Sequence, residues 1–183
     1  METWEWIVVA AVAAAAFVVL LALAARRRKR GQLQERFGPE YDRTVSSEGR
    51  RDGERHLRDV EQEHEELDIR PLSPAARERY VEEWRFVEMR FVNDPEDAAR
   101  SAERVVVRVL ADRGYPVDRD TEHQAAHVAV DHPDLAERYR HGHAMLDASN
   151  GDADTENLRK AMIDFRSVFD ELVTDEARTK ATA

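Results

Sequence analysis

Nineteen consecutive residues without a charge, Ile7 to Ala25 (IVVAAVAAAAFVVLLALAA), are followed at once by five cations, Arg26, Arg27, Arg28, Lys29 and Arg30. No other stretch restricts the possible folds of this chain so much. As a helix rising about 1.5 Å per residue, the run is roughly 29 Å long, the thickness of a bilayer's hydrocarbon. A secretory signal has a shorter apolar core, about 7–15 residues, behind a basic leader. Here the leader METWEW holds Glu2 and Glu5 and no Lys or Arg. Lys and Arg beside a span stay on the cytoplasmic side, so the five cations also argue for retention. The expectation is an uncleaved single-pass anchor. Trp4 and Trp6 would sit at the outer interface and everything after Arg30 in the cytoplasm. Export after cleavage at Ala22-Leu23-Ala24 is the alternative.

Charge divides along the same line. The chain has 28 Lys+Arg against 38 Asp+Glu, a net charge of -10. Five of the cations are the Arg26–Arg30 collar and two of the anions are Glu2 and Glu5, so residues 31–183 hold 23 against 36, or -13. The collar is suited to anionic lipid headgroups, at about 1 kcal/mol per cation near the surface, or acts only as a topology signal. The acidic body is repelled by nucleic acid, which is not an expected partner. There is no cysteine, hence no disulfide framework and no thiol chemistry.

After the collar, Gly38-Pro39 ends the first helix. From Glu48 to Leu67 the chain is dense in both charges. Its apolar stripe of Leu57, Val60, His64 and Leu67 is as narrow as a coiled-coil seam, and Gly49 and Gly53 weaken its start. Residues 31–66 are therefore expected to form a charged juxtamembrane helical linker, after the anchor of residues 1–30. From Leu67 the pattern changes. Ser73-Pro74 and Asp94-Pro95 each read as a cap followed by a first-turn proline. The first helix places Ala76, Tyr80, Trp84, Val87 and Phe91 on one face. The second buries Ala98, Ala102, Val105, Val106, Val109 and Leu110 before Gly114. A short helix near Asp120–Val130, another opened by Asp131-His132-Pro133, and a last one after Asp154 or Thr155 complete the set. The last carries Leu158, Ala161, Met162, Phe165, Val168, Phe169 and Leu172 as its stripe. No segment alternates with period two. The fold class is all-α: an N-terminal transmembrane helix, a charged linker helix and a four- to five-helix bundle over 67–173, expected to fold alone, with 174–183 as a disordered tail.

Catalytic signatures are missing. No glycine loop for phosphate occurs, no GxSxG and no nucleophile–base motif, so no catalytic residue, cofactor or enzyme activity is expected. The histidines cluster late, at His123, His127, His132, His141 and His143. HQAAH (123–127) has the one-turn spacing of the zinc-gripping HExxH. Gln124 stands where that motif has its glutamate, and a third ligand would have to come from His132 or His143. One ExxH, Glu61 to His64, falls short of the two that a di-iron bundle needs. DASNGDADTE has a calcium loop's composition with Gly151 out of place. No metal site is assigned. In the Asp131-His132-Pro133 turn, Asp131 or His132 is expected to cap the helix that Pro133 opens. The same turn, with Tyr139, Arg140 and His143, is the one polar cluster that could hold a ligand.

RFGPEYDRTV (36–45), LDIRPLSP (67–74), FVNDPEDA (91–98), RGYP (113–116), VDHPDLAERYRHGH (130–143) and the segment 155–173 occur in that order. Together they resemble a family of small actinobacterial proteins labelled as uncharacterised, membrane or secreted. The resemblance implies no activity and no functional residues. The function expected from the residues is a membrane-anchored helical module that binds the bilayer and a protein partner. The alternative is a ligand- or metal-sensing domain built on Asp131, His132, Tyr139 and His143.

Overall fold

The structure, a computed structural model, describes residues 3–149 and 155–174, with side chains from residue 16 onward apart from 19, 22, 26 and 29. Every element among the described residues is helical: α1 (Thr3–Phe37), α2 (Pro39–Glu48), α3 (Arg50–Glu65), α4 (Pro74–Phe91), α5 (Pro95–Arg113), α6 (Thr121–Asp131), α7 (Pro133–Asp147) and α8 (Thr155–Thr174). The expected all-α class and bundle hold. Residues 175–183 lie outside the described residues, as does half of the calcium-like loop, 150–154, with Asp154 in it.

Local sequence sets most helix starts. The Ser73 hydroxyl accepts from the Ala76 amide at 3.2 Å, Asp94 from Asp97 at 3.1 Å and Asp120 from His123 at 2.9 Å. Each side chain satisfies a first-turn amide that has no partner inside the helix. Helix α7 departs from expectation. His132 occupies its N-cap position without a side-chain cap bond, and the Asp131 carboxylate turns elsewhere. The Leu135 amide reaches the His132 carbonyl instead, at 3.0 Å.

The core joins all eight helices. Helices α4, α5, α7 and α8 pack in sequence around Trp84, Val109, Tyr139, Phe165 and Phe169, and α6 lies against α7. The Trp84 and Phe169 rings stack at 4.5 Å. The same buried cluster extends into Leu33, Phe37, Tyr41, Leu57 and Val60. Residues 31–66 pack on the bundle along this edge: α3 packs on α6, α2 on α7, and α1 reaches both α3 and α6. The apolar stripe read as a seam is narrow because α3 turns only one edge inward, toward α2 and α6.

Gly49 and Gly53 make this arrangement possible. Gly49 takes φ 82°, open to glycine at no steric cost, and turns α2 directly into α3. A Cβ on Gly53 would stand 3.1 Å from the Thr44 carbonyl oxygen and the Val45 Cα. Backbone atoms cannot swing aside, so a glycine there permits the close crossing of the two helices.

Helix α1 is 35 residues long, about 52 Å at the usual rise. Its described apolar side chains Phe17, Val18, Leu20, Leu21 and Leu23 are all exposed, whereas Leu33 and Phe37 are buried. The run Ile7–Ala25 begins among residues whose side chains are not described, as do Trp4 and Trp6. Among the described residues no helix is long and apolar enough to cross a membrane.

Candidate functional site

Four ionisable side chains meet where α3 lies on α6. Glu63 and His64 are consecutive in the last turn of α3. His123 and His127, one turn apart on α6, face them as the HQAAH spacing requires. The His123 and His127 rings meet edge to face at 4.6 Å, and His127 stacks on His64 at 5.8 Å. His64 Nε2 lies 3.1 Å from the Asp131 carboxylate, which also accepts from the Tyr115 hydroxyl at 2.8 Å. Burial pushes the Asp131 carboxyl up, but the hydrogen bonds from His64 and Tyr115 outweigh it and hold it below its ordinary value.

His127 is the anomaly of this site. It is 1% exposed, and neither ring nitrogen has a hydrogen-bond partner. Its Nε2 is 3.5 Å from the Glu63 carboxylate, close enough for charge attraction but outside hydrogen-bond geometry. A buried polar group left in this state costs about 1–3 kcal/mol. Burial first, then the neighbouring His123 and His64, lowers its pKa to about 4, with Glu63 opposing. The ring is therefore neutral at pH 7, with an unshared electron pair on one nitrogen. One donor atom each from Glu63, His123 and His127 lies within 4.8 Å of the others.

The polar cluster expected around Asp131 is divided. Asp131 belongs to the α3–α6 contact just described. The Tyr139 hydroxyl donates to Gln124 Oε1 at 2.6 Å in the core, and burial raises its pKa, with Glu103 adding to the effect. His143 Nδ1 pairs with Glu103 at 3.0 Å, its ring edge-on to Tyr139 at 4.6 Å. Arg140 points the other way, into Glu40 and Glu122. Of the expected cluster, Tyr139 and His143 are in ring contact, while Asp131 and Arg140 serve separate networks. His132 and His143 do not complete HQAAH; Glu63 stands in that place. Glu61, the start of the ExxH, is taken by Arg36 at 2.6 Å.

Beside the histidines opens a cleft of about 570 Å3, with His123 on its wall together with Glu40, Arg43, Glu122 and Arg140. These four charges pair with one another. Arg140 holds buried Glu40 by two bonds of 2.6 and 2.8 Å, and both Arg140 and Arg43 reach Glu122 at 2.8 Å. Desolvation raises the Glu122 pKa, and the two guanidiniums pull it below its ordinary value. Little uncompensated charge is left there to select an ionic ligand.

In the collar, Arg27 and Arg28 are exposed, and Arg26 and Lys29 lie outside the described side chains. Arg30 Nε donates to the Tyr41 hydroxyl at 3.0 Å, which donates in turn to Glu54 at 3.0 Å.

No family model, curated protein or solved structure matches this chain. Function has therefore to be argued from its own residues. Sequence reasoning missed Glu63, because nothing local distinguishes it from Glu61, Glu65 and Glu66. Only the docking of α3 on α6 selects it.

Proposed function

We propose that the chain is a membrane-anchored helical module that binds a protein partner and has no catalysis of its own. The observation that carries this reading is the exposed apolar surface of α1. Phe17, Val18, Leu20, Leu21 and Leu23 on α1 are 46–63% exposed, with no cover among the described residues. An uncovered face of this kind is costly in water and favourable in hydrocarbon. The uncharged sequence Ile7–Ala25 has the length to lie in a bilayer, and Arg27, Arg28 and Arg30 mark where headgroups would begin. From there α1 continues unbroken into the core at Leu33 and Phe37, so the domain is held against the anchor without a flexible tether.

A second exposed apolar surface lies on α4. Phe86 and Met89, 62% and 60% exposed, and Val92 just past the helix end lie opposite the buried Tyr80, Trp84 and Val87. Apolar side chains on both faces of one helix fit a partner's surface on the outer face.

Photo-crosslinking from native membranes tests the reading. A photoreactive residue at Met89 is expected to give one discrete crosslinked species, and the same residue at exposed Glu137 none. Absence of any species at Met89, or equal yields at both, would contradict the docking role. Recovery of the chain in the soluble fraction would contradict the anchor.

A further inference from the structure

Beyond that reading, and independent of it, we infer that Glu63, His123 and His127 form a binding site for one divalent transition-metal ion of the zinc class, which ties α3 to α6. The donor set is the first argument. Two imidazoles and a carboxylate suit zinc and its neighbours, whereas magnesium and calcium require sets made mainly of oxygen.

Geometry is the second argument. Ligands bound to one ion at about 2.1 Å in tetrahedral array stand about 3.4 Å apart. The three donor atoms here lie within 4.8 Å. The difference is small enough for one side chain to close it, and exposed Glu63 on the last turn of α3 has the freedom to do so. His123 and His127 sit one turn apart on α6, which keeps their rings adjacent, 4.6 Å between centroids.

The third argument is His127 itself. Its ring is 1% exposed, it faces Glu63, and neither nitrogen has a hydrogen-bond partner. Buried polar atoms are rarely left in this state, and a metal ion would supply a partner to the nitrogen that faces Glu63. Arg119, 3.8 Å from Glu63, competes for the carboxylate, and the ion must displace that contact. Three protein ligands leave at least one position for water, as in sites that exchange their metal. Because Glu63 comes from one helix and the two histidines from another, binding would strengthen the contact between α3 and the bundle.

The test uses the full chain in detergent, stripped with EDTA and dialysed against zinc chloride alone. One zinc per chain is expected, with a raised melting temperature, and no comparable retention of magnesium. Removing buried His127 risks the fold, so Glu63→Gln and His123→Ala, at an exposed and a half-buried position, carry the comparison. Each is expected to weaken zinc binding by at least about tenfold. His141→Ala, at a ring that pairs with Asp164 on α8, is expected to leave binding unchanged. No zinc retained at micromolar free metal would overturn the proposal. So would zinc binding that survives both Glu63→Gln and His123→Ala, or magnesium binding as tight as zinc.

Discussion

Arg140 on α7 clasps Glu40 on α2 across 100 residues of chain, through two bonds of 2.6 and 2.8 Å, with the carboxylate 5% exposed. The pair joins a segment next to the collar to the far half of the bundle. Both charges are largely out of water, and Thr44 and Arg43 supply the remaining contacts to Glu40. Removing Arg140 takes the main partner from a buried carboxylate and leaves it Arg43 at 3.5 Å and Thr44, a loss of up to about 3–5 kcal/mol. Arg140→Ala is therefore expected to lower the urea midpoint strongly, and Arg140→Met with Glu40→Leu to recover most of the loss. A loss confined to a few tenths of a kcal/mol would mean that the pair is solvated.

The domain boundary follows from the same packing. A fragment of residues 67–173 lacks α2 and α3, and with them the Glu63 and His64 contacts to buried His127. Residues 31–174 keep those contacts. The longer fragment is expected to melt cooperatively and well above the shorter one, followed by circular dichroism at 222 nm. Equal melting temperatures would restore the boundary at Leu67.

What could be read from the sequence follows the range of the interaction. Ser73, Asp94 and Asp120 are decided within one turn, so the starts of α4, α5 and α6 were legible. The stripe from Leu158 to Leu172 on α8 is decided by helical period alone. The place of α3 was not legible: its inward edge is narrow, most of its surface is charged, and α6 lies about sixty residues further on. The histidine site fails to show for the same reason. HQAAH is visible in sequence, but Glu63 is one acid among many until α3 docks. Asp131 misled because a short acid before His-Pro reads as a cap, whereas Tyr115 and His64 hold it in the fold.

Trp84 tests the packing of α4 on α8. It is 1% exposed and stacked on Phe169, with its Nε1 donating to Glu88 at 3.0 Å. Trp84→Ala is expected to cost about 3–5 kcal/mol in chemical denaturation. Phe86→Ala, on the exposed face of the same helix, is expected to stay within about 0.5 kcal/mol. Similar losses for both would place the helix in the wrong rotation.

Protonation of His127 makes metal-free stability depend on pH. Its pKa falls from 6.5 in the unfolded chain to about 4 in the fold, through burial first and then His123 and His64. Glu63 opposes them, Asp131 pairs with His64, and Arg119 faces Glu63. The unfolded chain binds the proton first as pH falls. The contribution of the neutral ring is therefore complete above about pH 6.5 and is lost between there and about pH 4. Denaturation midpoints of EDTA-treated protein are expected to decline across that window, and those of His127→Phe to decline less. Parallel curves would assign the decline to other groups.

The anchor and its orientation can be measured directly because the chain has no cysteine. Asp52 on α3 is exposed and pairs with Arg55 at the surface. In cells carrying Asp52→Cys, a membrane-impermeant maleimide is expected to label the protein only after permeabilisation, with the protein in the membrane fraction throughout. Labelling of intact cells at the same rate, or a released chain lacking Ile7–Ala25, would contradict a retained anchor with a cytoplasmic domain.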